Sequence, residues 1–229
     1  MESATKIQSC ELPEVASDID TVIDRLSADG FIAYPTETVW GLGACADRTL
    51  AVDRLFAWKG RGGDHPVAVL VSSVEVALEL GCSLDEDARR LARAFWPGPL
   101  MIVVPCEKSF AAGIAGPTGS IGLRCSDHPI VQALVERVEE AGLGPLTSTS
   151  LNRTGQAPAT IVDSAAGTIR DAAQGGFESP MLFATLDSGI PCDAGGGPPS
   201  SIVDCTGALP RILRIGAIEA SSLEKVWVQ

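Results

Sequence analysis

The chain has 229 residues, 45% of them apolar and 20% charged, and a formal net charge of −12. That composition belongs to a globular protein with a real core, and its acidic balance weighs against a general nucleic-acid binder, which presents a basic surface. Seven scattered cysteines without a C-x-x-C pair and only two histidines weigh against a disulfide framework or a zinc centre.

The opening residues 1–15 read as a flexible leader. They lack the basic start and apolar stretch of a signal peptide, and no apolar run reaches membrane-spanning length. A cytoplasmic protein with no membrane contact is expected. Residues 18–29 carry Ile19, Val22, Ile23 and Leu26 at helical spacing, with Gly30 as the stop. "FIAYP" reads as a short buried strand. Thr49 is a candidate cap for "LAVDRLFAWK", which Gly60 ends. "VAVLVS" is a strand of branched residues, and "SLDEDARRLARAFW" is a helix with acids in its first turn.

"LMIVVP" and "SIGLRC" read as strands around a Gly-rich loop at 111–119. "PIVQALVERVEEAG" is a helix with proline first and glycine last. "GPLTSTS" reads as a strand leaving the core, followed by a weaker helix near 162–173 and a strand near 181–187. Gly- and Pro-rich residues 189–199 form a loop inside one domain. "SIVDC" and "RILRIG" complete the strands, the latter as the last long one. Alternation of strands and helices without an internal repeat predicts an α/β fold with a twisted mixed open sheet.

Chemistry-bearing residues gather at the predicted strand ends. "GLGACA" at 41–46 formally fits G-x-G-x-x-A, but "TETVW" separates it from the strand and position 61 is Arg, so the dinucleotide-binding context is missing. There is no Walker motif and no G-x-S-x-G elbow. Lys59 and Arg61 flank a glycine at a helix end, where a lysine is often only a dipole partner. Arg124 ends an apolar strand. "STSLN" places Ser148, Ser150 and Asn152 together, although such loops also cap helices. Arg214 lies within an apolar strand, where a buried guanidinium needs an anionic partner. Lys, Arg, Ser, Thr and Asn at strand ends suit capture of phosphate and carboxylate. They also suit an anionic transition state held by fixed cations and dipoles, as in nucleotidyl transfer.

In the order they occur, "AYPTETVWGLG", "KGR", "GLRCSDHP", "STSLN", "PAT", "SSIVD" and "ILRIG" resemble the motifs of the YrdC-like threonylcarbamoyl-AMP synthases, over about residues 20 to 216. The resemblance implies a sheet with a concave cationic cavity. It also implies a reaction: L-threonine, bicarbonate or CO2, and ATP give threonylcarbamoyl-AMP and pyrophosphate. The product would pass to a threonylcarbamoyl transferase that modifies the adenosine beside a tRNA anticodon, with direct RNA binding by this chain weak or absent.

By motif position, Lys59, Arg61, Ser150 and Asn152 are the implied catalytic set on the ATP phosphates and carbamoyl region. Thr36, Thr38 and Arg124 would hold threonine, with Glu37 turned the other way. Ser148, Ser201 and Arg214 would join the nucleotide contacts, and Mg2+ would arrive on ATP without a protein metal site. The family often has proline where this chain has Gly62, and a branched residue and proline where it has Cys125-Ser126. The short stretch after "ILRIG" implies a single domain from residue 16 to 229, with the lid of longer members missing or supplied differently. A carbamoyl-transfer relative with another acceptor and a non-catalytic RNA-binding module are the competing readings.

Overall fold

The computed structural model describes residues 14–16, 18–60, 66–116, 118–184 and 193–227. The proposed leader up to residue 13, residues 185–187 of the strand predicted near 181–187 and part of the Gly/Pro loop lie outside them. The described chain forms ten strands and seven helices. The strands are β1 Val15–Ala16, β2 Ile32–Tyr34, β3 Gly41–Gly43, β4 Ala68–Leu70, β5 Leu100–Pro105, β6 Ser120–Arg124, β7 Thr147–Ser150, β8 Met181–Phe183, β9 Ser201–Asp204 and β10 Arg211–Arg214. The helices are α1 Ile19–Ser27, α2 Thr49–Lys59, α3 Val74–Glu79, α4 Glu86–Phe95, α5 Pro129–Glu140, α6 Val162–Gln174 and α7 Ala220–Trp227.

The strands make one mixed sheet in the order β1-β8-β2-β3-β7-β4-β6-β5-β9-β10. Pairs β1/β8, β2/β8, β4/β6 and β5/β9 are parallel. The remaining pairs are antiparallel. This is the α/β mixed open sheet expected from the alternating pattern. Among the described residues, no helix is long and apolar enough to cross a membrane.

Most predicted elements appear within a residue or two of their expected bounds, and the differences have local causes. Thr49 begins α2 but does not cap it: the N-cap position is Arg48, with no side-chain cap bond. Gly60 does end that helix, at φ 64°, in the left-handed region where glycine carries no Cβ penalty. Val15 belongs to a strand paired with β8 and not to a loose leader. "RILR" is a short, largely exposed edge strand instead of a long buried one.

The largest difference is at Gly41–Gly43. These residues, read in the sequence only as part of a G-x-G-x-x-A match without its context, are a fully buried strand in the middle of the sheet. Their missing side chains are a packing requirement. A Cβ on Gly41 would come 2.7 Å from the Tyr34 ring, and one on Gly43 would come 2.6 Å from the Thr147 carbonyl. Tyr34 lies across the glycines with its hydroxyl donating to Thr147 O at 3.1 Å. Burial pushes its pKa up to about 12, so it stays a neutral donor.

The two faces of the sheet are covered unequally, and that positions the site. One face carries the main core, with Leu100, Ile102 and Val104 of β5 and Val69 of β4 buried beside residues of α2, α4 and α6. On the other face, α1 and α5 bury Ile32, Tyr34, Leu70 and Leu146. That second cover stops at β4. The alternating burial of β5 records it: Leu100, Ile102 and Val104 are buried, whereas Met101 and Val103 are only partly covered. Beyond β4 the second face is an open concavity.

Candidate functional site

Strand register fixes which residues face the concavity, because directly paired residues share a face. Arg124 pairs with Leu70 and Met101, Met101 with Ile202, and Ile202 with Arg214. Ala68 pairs with Ser148, and Gly41 with Ser150. A register shift beside Arg214 brings it into this row. Arg124 and Arg214 are thus three strand spacings apart, about 14 Å along the row. Between them lies a cavity of about 460 Å³ whose wall includes Thr38, Arg124, Ser148, Ser150, Ser200 and Arg214.

Arg124 is the more buried of the two charges on the cavity wall. Its Nη2 donates to Glu37 Oε1 at 2.7 Å and to the hydroxyls of Thr36 and Thr38, each at 3.1 Å. Its Nε is buried with no partner among the described residues. Thr36 and Thr38 come together as expected, with their hydroxyls 3.1 Å apart, but through the bend of the chain and not through strand alternation. Thr38 reaches the cavity wall, whereas the Thr36 hydroxyl donates to Val39 O at 2.7 Å and holds the loop in shape.

The expected outward turn of Glu37 is corrected. The chain bends at residues 37–39 and is not an extended strand there, so the period-two rule fails and Glu37 converges on Arg124 with both threonines. Its other oxygen accepts from Ser126, whose Oγ in turn accepts from the His128 N–H at 3.2 Å. His128 Nδ1 accepts from Ile130 N–H and caps α5. Burial lowers the His128 pKa, while a backbone hydrogen bond at Asp193 and the nearby carboxylates of Glu37 and Asp127 act in the opposite sense.

The 36–38 segment is clasped from outside. Gly195 N donates to Thr36 O and Gly196 N to Thr38 O, both at 2.9 Å. A Cβ on Gly195 would lie 2.0 Å from the Glu37 carbonyl oxygen, so only glycine allows this crossing.

Lys59, Ser150 and Asn152 form a second cluster. Lys59 Nζ donates to Ser150 O at 2.6 Å and to Asn152 Oδ1 at 3.0 Å, and Ser150 Oγ donates to the same Oδ1 at 2.5 Å. Asn152 Nδ2 donates to Arg153 O and Gln156 O. The lysine is buried at the C-terminal end of α2. Ser150 carries this cluster to the cavity wall. Arg61, the second half of the K-x-R pair, lies outside the described residues.

Two expectations for the nucleotide end change. Ser201 is fully buried and fully engaged: its Oγ donates to Ile218 O at 2.8 Å and accepts from Gly216 and Ile218 N–H at 2.9 and 3.1 Å. It ties β9 to the chain after β10 and does not face the cavity. Its neighbour Ser200 does, and the buried Ser200 Oγ has no partner among the described residues. Sequence reasoning missed Ser200 because both serines sit in one motif and only strand phase separates them.

Arg214 is exposed and not buried in an apolar strand. In place of a carboxylate it holds the Ser200 carbonyl, from Nε at 3.0 Å and Nη2 at 2.7 Å. Surrounding protein, and then Arg124, lower its pKa, and it remains a cation at neutral pH. The cavity therefore offers two guanidiniums and several hydroxyls, with Arg124 Nε and Ser200 Oγ still able to donate. That donor set fits an elongated ligand with anionic groups.

Comparisons with known proteins agree with this chemistry. The protein-family profile for Sua5, YciO and YrdC, described as "Telomere recombination", matches residues 24–216. A relative from Mycobacterium tuberculosis is 34% identical over 97% of this chain and 95% of its own length. The threonylcarbamoyl-AMP synthase of Chromohalobacter salexigens is 34% identical over 78% of this chain and 97% of its own length. The crystal structure of P. abyssi Sua5 complexed with L-threonine superposes with a TM-score of 0.77 at 31% identity, covering 91% of this chain and 57% of that one.

Proposed function

The chain belongs to the Sua5–YciO–YrdC family, and from that premise we infer that it is a threonylcarbamoyl-AMP synthase serving tRNA threonylcarbamoyladenosine synthesis. The observation that carries this reading is the donor pair Arg124 Nε and Ser200 Oγ, both on residues of one cavity wall and both without a partner among the described residues. Buried donors without partners are costly, and a ligand carboxylate or phosphate would satisfy them.

In this reading Arg124 takes the carboxylate of L-threonine, beside Thr38 and with Thr36 and Glu37 behind it. Ser148, Ser150 and Arg214 face ATP, and Ser200 stands between the two ends. Lys59 and Asn152 hold Ser150, and with Arg61 they address the phosphates and carbamoyl region. The threonine amine combines with CO2, or with bicarbonate and loss of water, to give a carbamate. A carbamate oxygen attacks the α-phosphorus of ATP, and pyrophosphate leaves with the electron pair of the broken P–O bond. The attacking group is already an anion, so no strong base is needed. Positioning and fixed cations lower the barrier. Magnesium enters as part of the Mg-ATP substrate, and no protein ligand set is assigned to it.

Residues from 16 onward act as one catalytic domain in the cytoplasm, and the product passes to the threonylcarbamoyl transferase that modifies tRNA. The test is pyrophosphate release from Mg-ATP with threonine and bicarbonate, against other amino acids as controls. Threonine- and bicarbonate-dependent release is expected. Release indifferent to both would overturn the reading.

A further inference from the structure

A pair of cysteines lies away from the cavity, and the family motifs do not involve it. Cys82 follows α3, and Cys106 follows β5, where the two residues form an antiparallel bridge. The flanking hydrogen bonds are Ser83 N to Pro105 O at 2.8 Å and Glu107 N to Gly81 O at 3.0 Å. Those bonds make Cys82 and Cys106 a non-hydrogen-bonded pair, the register in which Cα atoms are closest, about 4.5 Å apart. That spacing is within the disulfide range. The side chains face each other as well: the Cys82 thiol donates to Cys106 Sγ at 3.1 Å, and the Cys106 thiol points to Leu80 O at 3.7 Å. Both are free thiols.

Access is unequal. Cys106 is partly exposed, whereas Cys82 is 4% exposed and lines a separate cleft with Ser83, Asp85, Arg89 and Cys205. We propose that Cys82 and Cys106 are a reversible dithiol–disulfide modification site whose co-reactant is a low-molecular-weight disulfide. The Cys106 thiol loses its proton to water, and the thiolate attacks one sulfur of the small disulfide, releasing one small thiol and leaving a mixed disulfide. Cys82, deprotonated in turn, attacks Cys106 Sγ and expels the second small thiol. One small disulfide is reduced to two thiols, and two protein thiols are oxidised to one bond. Burial holds the Cys82 thiol protonated, so it serves as the resolving partner and Cys106 as the entry point.

The bond would close a loop between the end of α3 and the end of β5, removing freedom from the unfolded chain without moving the strands. The test is incubation of the folded protein with glutathione disulfide, followed by mass spectrometry of the digested, alkylated chain. A cross-linked peptide joining Cys82 and Cys106 is expected, reversed by dithiothreitol and absent in both Cys82→Ser and Cys106→Ser. Cys45, Cys125 and Cys205 should remain alkylatable. The oxidised protein should melt about 5–10 °C higher than the reduced one. A mixed disulfide that persists on Cys106 without cross-linking, a cross-link between other cysteines, or oxidation seen only after unfolding would each overturn the proposal. If Cys82→Ser fails to fold, Cys106→Ser with its partly exposed side chain still decides the outcome.

Discussion

Replacing Glu37 by Gln tests the electrostatic core of the site. The Glu37–Arg124 pair is 2.7 Å apart, with side chains only 13% and 8% exposed. At that distance the gross attraction is about 6 kcal/mol for an effective dielectric constant of about 20, and desolvation offsets much of it. Removing one partner of a buried pair typically costs about 3–5 kcal/mol. Because the cavity admits water beside Arg124, the lower end, about 3 kcal/mol, is expected here. For a chain of this length that lowers Tm by about 6–12 °C. L-Threonine should restore part of the loss, since its carboxylate supplies the missing anion. Saturating threonine should therefore raise the Tm of Glu37→Gln by more than it raises that of the wild type. Thermal scans of both proteins over a threonine series measure this. A variant as stable as the wild type, with the same ligand-induced shift, would show that Glu37 is not the counter-ion of Arg124 and would refute the reasoning.

The two adjacent serines should behave differently. Ser200→Ala removes a hydroxyl without a partner among the described residues, so chemical denaturation should give a stability within about 0.5 kcal/mol of wild type, while KM for threonine or ATP rises about fivefold to tenfold. Ser201→Ala strands two N–H groups and a carbonyl and should lose about 2–3 kcal/mol in the same experiment. Lys59→Ala should reduce the kcat for pyrophosphate release about 100-fold; a wild-type rate in a folded variant would remove Lys59 from the proposed machinery. His128 gives a pH dependence. Its pKa is lowered on folding, so below the unfolded value of about 6.5 the unfolded state binds more protons. Its contribution to stability is present above that value and is lost as pH falls through the folded pKa. His128→Asn, which keeps a capping side chain, should lose less stability than wild type between about pH 7 and pH 5.5.

Much of this was legible in the chain because the signals are local. Helical spacing, capping residues and glycine stops placed α1, α4 and α5. Branched apolar runs placed β2, β4, β5 and β6, and their alternation with helices implied the mixed sheet. Motif order brought Thr38, Arg124, Ser148, Ser150 and Arg214 into one candidate site before any contact between them was visible, and all five line the cavity. What the chain alone left open depends on partners distant in sequence. Gly41–Gly43 shows no strand pattern of its own until the Tyr34 ring is seen lying on it. Glu37 reads as outward-facing because alternation assumes an extended backbone, and the bend at residues 37–39 breaks that assumption. Strand phase, set by pairing between β5 and β9, turns Ser200 to the cavity and Ser201 inward. A separate nonlocal bridge brings Cys82 against Cys106 across 24 positions of sequence. Propensity and motif are written residue by residue, whereas register and face are properties of two strands at once, and only the folded sheet decides them.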